Sequence, residues 1–194
     1  MKKILIPLFS LFLVNCGEDT LPKPKAFLRL DYPEPQYKRV DIPIPFSFEK
    51  NELAISISKV ESTENGNSYS VDIEYPHLKG TVYLTYRKVT KDNLKKLLRD
   101  AQNLTQKHTQ KADEIASNLF IKPEKRVYGM FYEVGGNAAS QSQFYATDST
   151  NHFLSGSLYF YAKPNYDSIY PAAIYLRNDI KRVMESLEWK TLEQ

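Results

Sequence analysis

The sequence predicts an α+β fold: a mostly antiparallel sheet of about seven strands flanked by two long helices, in the order ββββ-α-βββ-α. Three observations lead there. Several stretches alternate apolar and polar residues with period two and are joined by short turns, as antiparallel neighbours are. Two longer stretches repeat apolar residues at spacings of three and four, helical stripes that must bury against a sheet face. The apolar content is strongly aromatic, with 14 Tyr and 10 Phe against 1 Trp. Tyr-rich alternating segments suit sheets whose outer face stays wet.

A leader precedes these elements. Lys2 and Lys3 come before an apolar run, Ile4 to Val14, interrupted only by Pro7 and Ser10. That run is well short of the ~20 residues a membrane-spanning helix needs, and residues 1–15 read as a cleaved export signal. The only cysteine, Cys16, follows it. Leu13 and Val14 fit a bacterial lipobox, although Asn15 stands where Gly, Ala or Ser is usual. Cys16 is therefore expected to become the lipidated N-terminus; the alternative is a soluble secreted chain. Two or three acyl chains anchor stably where one binds marginally, so the mature chain is expected to be anchored and not spanning.

Residues 16–45 read as the lipidated cysteine and a tether. They hold Pro22, Pro24, Pro33, Pro35, Pro43 and Pro45 of the chain's 11 prolines, and residues before proline are pushed toward extended geometry. Phe27 to Tyr32 and Tyr37 are too apolar for a pure linker, and either pack along the domain or dock a partner.

A single α+β domain is expected over 46–190, with 191–194 a tail. Its first strands are Phe46 to Lys50, Leu53 to Lys59, Tyr69 to Tyr75 and Thr81 to Lys88. Asn65-Gly66-Asn67 supplies a turn before the third, and His77 to Gly80 joins the third to the fourth. Asp92 or Asn93 can cap a long helix with apolar positions Leu94, Leu97, Leu98, Ala101, Leu104, His108, Ala112, Ile115 and Leu119. Strands Lys125 to Val134, Gln141 to Thr147 and Phe153 to Ala162 follow. Asp167 or Ser168 is expected to cap the last helix, with Pro171 in its first turn and a stripe of Ile169, Ala173, Leu176, Ile180, Val183 and Leu187 closed by Trp189. This order resembles the Mog1/PsbP-like α/β/α sandwich.

Removing Lys2 and Lys3 with the leader leaves 24 basic and 23 acidic residues, a net of +1. Nucleic-acid binding needs clustered Lys and Arg to neutralise phosphates, so no nucleic-acid partner is expected. With Cys16 acylated, no thiol remains for a disulfide, a zinc site or a nucleophile.

The stretches 125–141 (Lys-Arg-Val-Tyr-Gly-Met-Phe-Tyr-Glu-Val-Gly-Gly-Asn-Ala-Ala-Ser-Gln) and 156–168 (Gly-Ser-Leu-Tyr-Phe-Tyr-Ala-Lys-Pro-Asn-Tyr-Asp-Ser) resemble the signature segments of the gliding-motility lipoprotein family GldD. So do Leu21 to Lys25, Leu98 to Gln102 and Met184 to Trp189. The resemblance implies an envelope lipoprotein of Bacteroidota required for gliding and for type IX secretion, with other proteins of that machinery as partners. It carries no reaction, catalytic residues or cofactor.

The candidate interaction loop is Gly135, Gly136, Asn137, Ser140 and Gln141. Paired glycines let backbone N–H groups converge on an anion or a close partner, with Ser140, Ser142 and Gln143 adding donors; a simple turn is the alternative. It lacks the Gly-x-Ser-x-Gly of a nucleophile elbow and the Gly-Lys-Ser/Thr of a P-loop. His77, His108 and His152 show no metal-ligand spacing, and no metal is expected. Glu133 is either a solvated strand end or a buried carboxylate paired with Lys163 or Arg177. Lys91, Lys95, Lys96, Arg99, Lys107 and Lys111 form a solvated helix face or a weak contact with anionic headgroups.

The expected function is that of a non-enzymatic lipoprotein, anchored through Cys16 and facing the periplasm, that binds or stabilises another envelope component through its Tyr-rich sheet and this loop. The alternative is a binding module for an envelope glycan or a small anionic ligand.

Overall fold

The computed structural model describes residues 30–62, 66–107, 111–161 and 165–190. In chain order the strands and helices are β1 (Tyr37–Val40), β2 (Phe46–Asn51), β3 (Ser56–Ser62), β4 (Ser68–Tyr75), β5 (Gly80–Lys88), α1 (Leu94–Gln106), β6 (Ala112–Lys122), β7 (Val127–Gly136), β8 (Ser140–Thr147), β9 (His152–Phe160), α2 (Tyr166–Glu185) and β10 (Glu188–Trp189). The fold is α+β, as expected, with two antiparallel sheets. Seven strands run in the order β3-β4-β5-β9-β8-β7-β6, and three in the order β1-β2-β10.

Alternation decides which face of the large sheet is buried. Val71, Ile73 and Tyr75 of β4, Val82, Leu84 and Tyr86 of β5, and Leu154 and Leu158 of β9 are all buried. They pack against Phe46 and Phe48 of β2 and against Leu176, Ile180, Val183 and Met184 of α2. Burying each such side chain contributes about 1.5–3 kcal/mol. The expected α2 stripe is in place from Ala173 to Val183, and Leu187 is buried just beyond the helix. On the opposite face lies α1, where Thr105 Oγ1 donates to Gln143 Oε1 at 3.1 Å.

Four expectations are corrected. The first helix stops at Gln106, and Ala112–Lys122, expected as its last turns, is the edge strand β6. Ile115 and Leu119 continue the helical spacing by coincidence; pairing with β7 along the whole strand overrides it. Pro171 sits inside α2, which begins at Tyr166, and not in its first turn. Trp189 closes no helix: it pairs with Phe46 across β10 and β2. Lastly, the folded part reaches upstream of residue 46. β1 pairs with β2, Ile44 is fully buried, Tyr32 meets the Tyr175 ring at 4.9 Å, and Tyr175 Oη donates to the Pro33 carbonyl at 2.9 Å. The apolar part of the expected tether therefore packs on α2 from Tyr32 onward.

Candidate functional site

The loop between β7 and β8 is built into the N-terminus of α2. Asn137 Oδ1 accepts a hydrogen bond from the Tyr166 backbone N–H at 2.9 Å, satisfying one of the helix's free donors from a distant segment. Gly136 has φ +88°, the left-handed conformation that a turn asks of glycine. Gly135 does not.

A β-bulge then redirects the chain. Ser140 pairs with Tyr159 and Ser142 with Leu158, leaving Gln141 as an extra residue. Gln141 and Ser142 consequently line one cleft of about 240 Å³, together with Glu133 and Gly135 of β7, Glu114 of β6, and Tyr166, Tyr170 and Arg177 of α2. Ser140 turns inward, donating to the Ser142 carbonyl at 3.2 Å. Gln143 faces α1 on the other side of the sheet. Those two expected donors are thus absent from the cleft.

Glu133 proves to be paired: Arg177 Nη1 donates to its Oε2 at 2.6 Å, and Asn118 Nδ2 to its Oε1 at 3.3 Å. Both partners of the ion pair are about one-third exposed, with side-chain exposures of 32%. The bulged segment carries unsatisfied groups, since Gln141 Oε1 and Ser142 Oγ are buried without a hydrogen-bond partner.

The outer sheet face carries the second candidate surface. Tyr83 and Tyr159 meet edge to face at 5.8 Å, and Tyr145 stacks on Phe153 at 5.9 Å. Tyr161 is 65% exposed, and its hydroxyl accepts from Thr81 Oγ1 at 3.0 Å and meets the Tyr83 hydroxyl at 3.0 Å. That last contact, followed by partial burial, pushes the Tyr83 phenol up to about 12.

His152 is half-buried, bonded through Nδ1 to the Tyr86 hydroxyl at 2.8 Å and stacked on Trp189 at 5.0 Å. His77 is exposed in the one-turn helix between β4 and β5. Cys16, His108 and Lys163 lie outside the described residues. The basic residues of α1, Lys95, Lys96 and Arg99, are exposed. Among the described residues there is no group of three metal-ligating side chains, and no helix is long and apolar enough to cross a membrane.

Sequence reasoning missed Tyr166 and Tyr170 as cleft residues. The signal was present: Tyr166, Tyr170, Ala173 and Arg177 continue the stripe of α2 at spacings of three and four, with tyrosines where the core stripe has aliphatics.

Among the described residues, this α+β domain carries a polar cleft beside α2 and a tyrosine-bearing sheet face. A family model described as gliding motility lipoprotein GldD matches residues 17–189. The chain belongs to that family: it is a membrane-anchored lipoprotein of the cell envelope involved in gliding motility. No curated protein and no solved structure matches it.

Proposed function

We propose that this chain is a non-enzymatic component of the gliding and type IX secretion machinery, held to the membrane by lipid on Cys16, facing the periplasm, and binding and stabilising a partner protein. The observation that carries this reading is the outer sheet face, where Tyr83, Tyr159 and Tyr161 form a connected cluster ending in the exposed Tyr161 ring. Tyrosine brings contact area and a hydroxyl with few rotatable bonds, and is enriched at protein interfaces.

The test combines deletion with crosslinking. Deletion should stop colony spreading and leave secreted adhesins inside the cell. Crosslinking of the native lipoprotein should yield one dominant envelope partner, and Tyr161→Ala should reduce its capture in protein that keeps its native near-UV circular dichroism. Metabolic labelling with a palmitate analogue should mark the wild type but not Cys16→Ser. Normal secretion in the deletion strain contradicts the reading.

A second reading, a binding module for an envelope glycan or a small anion, is favoured by the unpartnered Gln141 and Ser142 atoms beside the β7–β8 loop.

A further inference from the structure

We infer that the cleft between the β8 bulge and the first half of α2 binds a single uncharged sugar ring, such as the terminal residue of an envelope glycan; this rests on the second reading above and names its ligand class.

The bulge sets two polar atoms where none of the described residues completes them. Gln141 is 4% exposed and Ser142 fully buried, yet Gln141 Oε1 and Ser142 Oγ have no partner. Folded proteins keep few such groups. The amide of Gln141 is also held in place, because its Nε2 donates to the Ala138 carbonyl at 2.7 Å. That bond leaves Oε1 as the amide's unpartnered, buried acceptor. A bulge that breaks the ladder to aim a side chain is a device found beside binding sites.

Charge narrows the ligand. Among the described lining residues, Glu114 and Glu133 face one cation, Arg177, which is already engaged with Glu133. The carboxylates outnumber the guanidinium among these residues, so an anion gains no net attraction there. What the lining offers is donors and acceptors side by side: guanidinium N–H groups, a carboxylate, an amide oxygen and a hydroxyl. A ligand hydroxyl both donates and accepts, and so can use all of them.

Shape narrows it further. Tyr166 and Tyr170 stand edge to face at 5.3 Å, and with Ala173 and Ile174 they give the cleft an apolar wall. Such a wall fits the C–H face of a sugar ring. A volume of about 240 Å³ is below the ~300–1,000 Å³ of pockets that enclose drug-sized ligands, so one ring enters and the remainder of a glycan projects outward.

The full-length lipoprotein, in a detergent without a sugar headgroup, is titrated by saturation-transfer NMR with glucose, galactose, mannose and N-acetylglucosamine, and in parallel with inorganic phosphate and butylamine. At least one sugar should bind saturably. Its binding should weaken at least tenfold in Glu133→Gln and in Tyr170→Ala, each checked for native near-UV circular dichroism. Saturable binding of phosphate or butylamine without any sugar overturns the inference; the phosphate result would keep the anion form of the second reading. Silence from every probe overturns both. Sugar binding that is unchanged in both variants places the sugar elsewhere and also overturns the inference.

Discussion

Asn51 Nδ2 reaches both carboxylate oxygens of Asp179, at 3.2 and 3.0 Å, and so ties β2 to the middle of α2 inside the core. Tyr37 of β1 adds a third hydrogen bond to the same carboxylate at 2.9 Å, and Tyr75 of β4 adds a fourth. One buried acid therefore joins the small sheet, the large sheet and the helix. Removing it leaves several buried donors unanswered, so Asp179→Ala should cost about 3 kcal/mol in urea denaturation.

The same residue gives a pH signature. Burial raises the Asp179 carboxyl above its ordinary 3.8, although its hydrogen bonds oppose this. The folded state then holds the proton more tightly than the unfolded state, and stability contributed by this group falls as pH rises through the raised value. Asp179→Asn lacks this titration. Wild type should lose stability relative to Asp179→Asn as urea midpoints are measured from pH 4 upward.

Asp148 behaves in the opposite sense. Burial alone would raise it, but bonds from the backbone N–H groups of Asn151, His152 and Thr150 and from the Thr150 hydroxyl outweigh burial and lower it. Its contribution is complete above 3.8 and is lost as pH falls through the depressed folded value. Asp148→Asn should cost about 1–2 kcal/mol at pH 7 and flatten the acid limb of the stability curve.

Trp189, the only tryptophan, reports on His152, whose ring stacks on it. Burial lowers His152 below 6.5 despite the raising effect of Asp148. This group's contribution to stability is thus complete above 6.5 and declines as pH falls toward the folded value. Tryptophan fluorescence should titrate with a midpoint below 6.5, and His152→Gln should abolish that step.

Three glycines separate close packing from conformational need. A Cβ on Gly129 would lie 1.9 Å from the Tyr145 carbonyl oxygen, backbone that cannot swing away. Gly129→Ala should cost about 3 kcal/mol. Gly136→Ala combines a φ of +88° with a backbone nitrogen at 2.7 Å, for about 1–3 kcal/mol. At Gly135 the nearest atom is 3.7 Å away, and alanine should change stability by less than about 0.5 kcal/mol. Thermal melts of the three variants rank them directly.

Much of this architecture is legible in the chain because one-sided burial writes itself locally. Val71/Ile73/Tyr75 and Val82/Leu84/Tyr86 mark their strands, and Ala173, Leu176, Ile180 and Val183 mark α2. Gly135 and Gln141 of the candidate loop line a cleft, and Arg177 was one of two partners expected for Glu133. Strand β6 escaped because it is an edge strand with Leu119 69% and Ile121 57% exposed. Its residues are half-buried or exposed, so no alternation of period two marks it as a strand. Gln143, expected to add a donor beside the loop, faces α1 instead, because the bulge at Gln141 shifts the alternation of β8.

By itself, then, the sequence determined the α+β class, most of the strands, the second helix and the family, all of which depend on local patterning or on contiguous motifs. Tertiary structure alone decided that residues 112–122 pair with β7, that Trp189 joins Phe46, and that Gln141 and Ser142 share a cleft with Tyr166, Tyr170 and Arg177. The reason is physical. Strand partners and cleft walls are brought together by hydrogen bonding and burial between segments far apart in the chain, and no local spacing encodes which distant edge a segment will meet.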